Sequence, residues 1–184
     1  MADKKQEITD AATRAIRRNG LRSISFRTLA DEVGVKSASV HYHFPTKSDL
    51  ADAVISDYQD KFMAELVRID ARQRGLKGKL SGFAGIFESA LADDYLCLCG
   101  MLAAELGALG DTSQQRLAGF FQAAERWLEN TLRAHAAELD PAHAPRQTAL
   151  ILMAMLEGAL LIDRANGNTQ RTKAARAFIK TLLR

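Results

Sequence analysis

Apolar residues recur every three to four positions through most of the chain and nowhere alternate for long, so the pattern predicts an all-α protein. Ile8, Ala12, Ala15 and Ile16 give a first helix an apolar stripe, and Asn19-Gly20 is a good place for it to stop. Ser25 is positioned to cap a short second helix that runs to Val33. Gly34 breaks it, and a third helix begins at Ser37 and stops at Phe44-Pro45. Thr46-Lys47-Ser48-Asp49 then has the form of a capping box, with Asp where Glu is commoner. Behind it Leu50, Val54, Tyr58, Phe62, Leu66 and Ile69 hold helical spacing for about seven turns, which predicts a helix roughly 35–40 Å long. The stretch "RQRGLKGK" reads as a loop. The remainder reads as five helices broken near Asp93-Asp94, Gly110-Asp111, Asp140-Pro141 and Asn166-Gly167-Asn168, making about nine in all.

Composition adds that a real core is possible: 184 residues, 47% hydrophobic and 26% charged, are ordinary globular proportions. Charge changes the picture more when it is divided. The first fifty residues carry nine Lys and Arg against six Asp and Glu, whereas the rest of the chain is balanced, so the whole +3 excess lies at the N-terminal end. The opening "MADKKQEITDAATRAIRRNG" has no apolar segment of the kind a secretory leader needs. The longest apolar run, Ala149 to Ile162, is interrupted by Glu157 and falls short of the roughly 20 residues of a membrane span. A cytoplasmic protein with no membrane partner is expected. There Cys97 and Cys99 would stay reduced, and as i,i+2 neighbours they face different ways and do not suit a mutual disulfide.

Three residues set the geometry between positions 26 and 44. Ala30 permits close helix approach, Gly34 supplies a turn that wants a left-handed backbone, and Val40 packs back from the third helix onto the second. This is helix-turn-helix spacing. Val40 and Phe44, four apart, face inward and leave Ala38, Ser39, His41, Tyr42 and His43 outward. Small, polar and aromatic groups on the free face of a short helix suit the major groove of DNA. His41 and His43 do not suggest a metal, because two helical positions apart they point about 200° from each other.

The segment "SFRTLADEVGVKSASVHYHFPTKSDL", Ser25 to Leu50, together with the preceding helix and the Gly20 turn, resembles the TetR family of transcriptional regulators. The resemblance implies an N-terminal DNA-binding domain (residues 1–46), joined by the long helix to a ligand-binding and dimerisation domain (residues 47–184). It further implies a homodimer whose two heads reach successive major grooves of a palindromic operator on double-stranded DNA, and a small-molecule inducer that releases it, so that the protein acts as a repressor. Carried over by position, Arg27 and Thr28 would meet backbone phosphate at the entry to the second helix. Lys36, Ser37, Ala38, Ser39, His41, Tyr42 and His43 would supply base and phosphate contacts, and Lys47 would clamp phosphate. One departure is that His41 stands where the family most often has Tyr, the aromatic ring moving to Tyr42.

In the C-terminal part, "TALILMAMLEGALLI" is apolar nearly all round, so its helix must be covered on more than one side. Pattern and resemblance together make it a dimer helix, with Ala154 and Gly158 allowing close approach. Leu150, Leu161, Phe178 and Leu182 complete the expected interface. Glu157 is out of place in that run and needs a partner, either a ligand or a structural network that could include Asp163 and Arg164. The stretch "DDYLCLCGMLAAELGALG" suggests a helix capped by Asp93 or Asp94, with Cys97 in a first turn where a thiolate would be stabilised. Candidate residues for an apolar ligand pocket are Cys97, Met101, Glu105, Phe120, Trp127, Met153 and Glu157, which fits a hydrophobic or planar inducer. No cofactor is expected. An enzyme is disfavoured because the chain offers no convergent nucleophile, base or metal set and no phosphate loop. Two other readings stay open: a repressor that senses oxidants or electrophiles through Cys97, and a DNA-organising protein that answers to no inducer.

Overall fold

The computed structural model describes residues 4–184; the first three residues of the expected DNA-binding domain lie outside them. Among the described residues there are nine α-helices: α1 (Lys4–Asn19), α2 (Phe26–Val33), α3 (Ser37–His43), α4 (Lys47–Arg72), α5 (Leu76–Ala92), α6 (Leu98–Ala104), α7 (Asp111–Ala134), α8 (Pro145–Asn166) and α9 (Gln170–Thr181). Short 3-10 turns lie at Leu21–Ser23 and Leu106–Ala108, and an isolated antiparallel bridge joins Leu139 to Leu183. No helix among the described residues is long and apolar enough to cross a membrane.

Packing divides the chain into two compact units. The first takes the residues up to Lys61 together with Leu98–Phe120, and the second takes Phe62–Cys97 with Phe121–Arg184. In the first unit the apolar stripe of α1 is buried through Ile8, Ala11, Ala12 and Ile16. It meets Leu29 and Ala30 of α2, Val40 of α3 and the α6 residues Leu98 and Leu102, all of them sealed from solvent. Each such Leu, Ile or Val stabilises the folded unit by roughly 1.5–3 kcal/mol relative to exposure. The second unit is built on α5, α8 and α9, and at its centre the Phe83 ring stacks on Trp127, with centroids 5.6 Å apart and planes 14° apart. Phe62 meets the same ring edge-on at 6.1 Å.

Local capping explains the starts of the head helices. Ser25 caps α2, its Oγ accepting the Thr28 N–H at 3.0 Å while the Thr28 hydroxyl oxygen accepts the Ser25 N–H at 3.3 Å. Thr46 and Asp49 exchange the same pair of bonds at the start of α4: the Thr46 N–H donates to Asp49 at 2.9 Å, and the Asp49 N–H to the Thr46 hydroxyl at 3.1 Å. Gly34 closes α2 with φ 67°, the left-handed conformation expected of it.

Two boundaries differ from the sequence reading, one for a long-range reason and one because of a local turn. The expected loop from Arg72 to Lys79 is only three residues long, because α5 starts at Leu76, whose N–H donates to the Glu138 carboxylate at 3.0 Å. The helix expected after Asp93-Asp94 begins only at Leu98, since Asp94 adopts a left-handed φ of 59° and the Tyr95 N–H turns back to the Ala90 carbonyl at 2.8 Å. Cys97 therefore precedes α6 instead of lying in its first turn.

Asp163, expected as a possible partner of Glu157, is instead the cap of α9. One of its oxygens accepts the Arg171 N–H at 2.9 Å; the other accepts the Thr172 N–H at 2.7 Å and the Thr172 hydroxyl at 2.8 Å. The residue is fully buried, so every one of these donors loses its partner if the carboxylate goes. Asp163→Ala is expected to destabilise the fold by about 3 kcal/mol in urea unfolding; a loss below about 1 kcal/mol would mean that water replaces the cap.

Candidate functional site

The face that the sequence assigned to DNA is assembled on α2, α3 and the start of α4. Val40 and Phe44 are buried, and around them Lys36, Ala38, His41, Tyr42 and Lys47 are exposed, with Ser37, Ser39 and His43 partly so. Tyr42 is the extreme case at 83% exposure, an aromatic side chain held out in the last turn of a seven-residue helix. Its ring meets His43 edge-on at 5.2 Å, while His41 lies edge-on to Phe26 of α2 at 4.7 Å, which fixes the imidazole against the scaffold. Arg27 is exposed on α2. Thr28 is exposed too, but its hydroxyl is taken up by the Ser25 cap and donates to the Ser25 carbonyl at 2.8 Å.

Polar pairs join α1 to α2 and α1 to α4 behind this face. Arg14 pairs with Glu32 of α2 at 2.7 Å. The Lys61 ammonium bridges Asp10 of α1 and Asp57 of α4, each at 2.8 Å. Burial works to lower the Lys61 pKa, but the hydrogen bonds to the two carboxylates outweigh it and hold the group above the ordinary lysine value. Arg17 lies over the Tyr58 ring with its guanidinium carbon 5.6 Å from the centroid.

The seven pocket candidates are divided between the two units. Met101, Glu105 and Phe120 belong to the first unit, where Phe120 is buried against Tyr58 with centroids 5.8 Å apart. Glu105 there accepts the backbone N–H groups of Leu21 and Arg22, a tie between residues 84 and 83 apart that no local pattern reveals. Cys97, Trp127, Met153 and Glu157 belong to the second unit. Trp127 donates its indole N–H to Asp70 at 2.9 Å.

Glu157 is partly buried, and its Oε1 is shielded from solvent without a hydrogen-bond partner. Burial pushes its carboxyl up to about 6, with a hydrogen bond from the buried Cys97 thiol pulling part of the way back. Among the described residues no salt bridge to this carboxylate is formed; Arg164 pairs with Asp94 at 3.3 Å and Arg171 with Asp163 at 3.4 Å.

Of the residues expected at a dimer interface, Leu150, Ala154, Leu161 and Phe178 are exposed and Gly158 is partly so. Leu182 is buried within its own chain at 1% exposure. The sequence reading missed Ile151 and Ile162, which stand exposed on α8 beside the others. Positions 151, 155, 158 and 162 share one face of the helix, but in a run apolar nearly all round spacing does not show that this face is the uncovered one.

Comparison with known proteins agrees with this geometry. Residues 8–54 match the family described as "Bacterial regulatory proteins, tetR family", and residues 82–177 match "Transcriptional regulator LmrA/YxaF-like, C-terminal domain". The nicotine-responsive transcriptional repressor HdnoR of Paenarthrobacter nicotinovorans is 25% identical over 176 residues, covering 93% of this chain and 89% of its own length. A TetR transcriptional regulator of Legionella pneumophila superposes with a TM-score of 0.92 at 29% identity, over 100% of this chain and 99% of that one. A TetR-family regulator of Agrobacterium tumefaciens gives 0.93 at 29% identity over 98% of each chain.

The buried Glu157 carboxyl makes a signed pH prediction. An acid whose pKa is raised on folding from 4.5 to about 6 destabilises the folded state once the pH climbs above the unfolded value, reaching about 2 kcal/mol at neutral pH. Glu157→Gln should therefore be more stable than the parent by about that amount at pH 8 and equal to it near pH 4.5. Parallel urea titrations at the two pH values check this, and a difference that stays constant across them rules out the unpaired carboxyl as its source.

Proposed function

The chain belongs to the TetR family of bacterial regulatory proteins, and from that premise we propose a homodimeric repressor that binds a palindromic operator through α2 and α3 and is released by a small molecule bound in the second unit. The observation that carries the DNA-binding part is the recognition face itself. A seven-residue helix buries Val40, is followed by the buried Phe44 and holds Tyr42 out at 83% exposure, between His41 and His43 and near Lys36 and Lys47. Apart from its edge-on contact with the neighbouring His43 the ring is open to solvent, where a base edge or the sugar-phosphate backbone would meet it. The N-terminal charge excess supports the same reading, because phosphate neutralisation by Lys and Arg supplies most of the sequence-independent affinity. In this reading Arg27, Lys36 and Lys47 meet phosphate, and Ser37, Ala38, Ser39, His41, Tyr42 and His43 face the groove.

Dimerisation is supported by the apolar area left uncovered on α8 and α9. Leu150, Ile151, Leu161, Ile162 and Phe178 are all exposed, and between the two helices runs an open groove of about 480 Å³ whose lining includes Ala154, Gly158 and Phe178. An added Cβ at Gly158 would meet no atom within 4 Å, so the space above it is open to a partner helix. Exposed apolar groups gathered on one face mark a surface that needs covering.

The proposed effector site is the region of Cys97, Trp127, Met153 and Glu157. Its support is the unpartnered Glu157 oxygen, which asks for a hydrogen-bond donor or a cation, and the presence in the same unit of the Phe83–Trp127 stack, a surface suited to a planar molecule. The relative named for its response to nicotine makes a basic aromatic amine the first probe to try. In this mechanism the effector pivots α4 about Lys47, so that the paired heads no longer match successive grooves. It needs higher affinity for the released state than for the DNA-bound one.

Three substitutions test the reading. Tyr42→Ala is expected to cost about 1–3 kcal/mol of operator affinity and to relax specificity, whereas Lys47→Ala should weaken all duplexes alike and lower the salt slope by about one. Fluorescence anisotropy at several salt concentrations separates the two, and unchanged binding in both variants removes the proposed face. Leu161→Glu should convert a dimer to a monomer in sedimentation velocity; a persisting dimer places the interface elsewhere.

A further inference from the structure

The 3-10 turn between α1 and α2 is held from outside the helix-turn-helix. Leu21 and Arg22 open that turn, and their N–H groups have no carbonyl one turn back to bond, because the backbone at Gly20 swings to φ 83°. Both find the carboxylate of Glu105, just past the end of α6. The Leu21 N–H donates to Oε1 at 2.9 Å and the Arg22 N–H to Oε2 at 3.1 Å, so each oxygen serves one amide. The Arg22 guanidinium lies beside the same carboxylate, its Nε 3.7 Å from Oε2. Gly20 is fitted to this arrangement twice over. Its φ disfavours a side chain, and a Cβ built there would stand 2.2 Å from Glu105 Oε1.

Three residues after Arg22 comes Ser25, the cap of α2, and Arg27 follows in the first turn of that helix. Between them the chain has little freedom. The Ser23 hydroxyl donates to the Gly20 carbonyl at 2.7 Å, the Ile24 N–H to the Leu21 carbonyl at 3.2 Å, and Leu21 and Ile24 are buried. We infer that Glu105 is a positioning residue for DNA binding: its carboxylate clasps the Leu21–Arg22 amides and so sets where α2 begins, without itself meeting DNA. The inference rests on the proposed DNA-binding face and adds to it a residue of α6's end that the face does not contain. Glutamine at this position can accept through one oxygen only and turns an NH2 group toward a second donor, so Glu105→Gln breaks one half of the clasp with almost no change in volume.

The test uses the full-length protein and the operator duplex, with two readouts. Amide hydrogen exchange at Leu21 and Arg22 should quicken at least about tenfold in Glu105→Gln, the loss expected for one charge-assisted hydrogen bond. Operator affinity should fall by about the same factor while the salt slope stays that of the parent, because no phosphate contact is lost. Gly20→Ala, which pushes on the same carboxylate, should lower affinity as well, and the double variant should be little worse than the poorer single one. Faster exchange with undiminished affinity overturns the role, as does additivity of the two substitutions or a salt slope reduced by one. If the parent shows no salt-dependent duplex binding while the exchange result holds, it is the DNA-binding reading that fails, and the clasp remains as a structural tie only.

Discussion

Helix and turn starts must find acceptors for their free amides, and this chain meets that need at three places with carboxylates from other elements, two of them from far along the sequence. Glu105 serves the turn before α2, Glu138 the first residue of α5, and Asp163 the first turn of α9. Each supplies an ionised acceptor where the positive end of a helix or turn points, so the amide is satisfied and the charge is stabilised at once. The consequence is architectural. A helix capped locally can form wherever its own residues lie, whereas one capped from 62 or 84 residues away has its starting point fixed by another element. Placement of the Leu21–Ser23 turn and of the start of α5 is therefore a tertiary property, made by groups that propensity scales rank as ordinary surface residues.

That division decides what could be read from the sequence. The head was legible because its punctuation is local: Ser25 with Thr28, Gly34 at a left-handed φ, and Thr46 with Asp49 each complete their bonds within four residues. The starts of α5 and α6 were not, since one depends on Glu138 and the other on a turn at Asp94 in which a non-glycine residue takes a positive φ. Nothing adjacent to Leu76 marks it as a helix start. The same blindness put Glu105 among the candidates for a ligand pocket: a glutamate near the end of an apolar helix looks unsatisfied until the distant amides of Leu21 and Arg22 are brought to it.

The site residues follow the same rule. On α3 the period of 3.6 separates Val40 and Phe44 from His41 and Tyr42, and the packing repeats that separation. On α8 the run was apolar nearly all round, so periodicity could not say which side faced its own chain. Packing makes the choice: Leu152, Leu156 and Leu160 go inward, and Leu150, Leu161 and Ile162 stay out. Glu157 could not be assigned a partner from sequence, because the obvious ones are spoken for. Asp163 is occupied by α9, and Arg164 turns to Asp94.

What remains after these assignments is a contrast between two kinds of uncovered surface. Tyr42 stands alone, one large ring among short polar side chains and cations, a composition that suits a polar, anionic partner entered at one point. The outer faces of α8 and α9 expose several aliphatic side chains and Phe178 around small residues at 154, 158 and 174, which suits a dry, extended contact with another apolar helix pair. The two surfaces together fit the proposed reading, in which the protein is paired and meets a charged partner. For a head this small, pairing is the physical route to affinity, since two linked heads make the second contact intramolecular and multiply the binding constants instead of merely adding contacts.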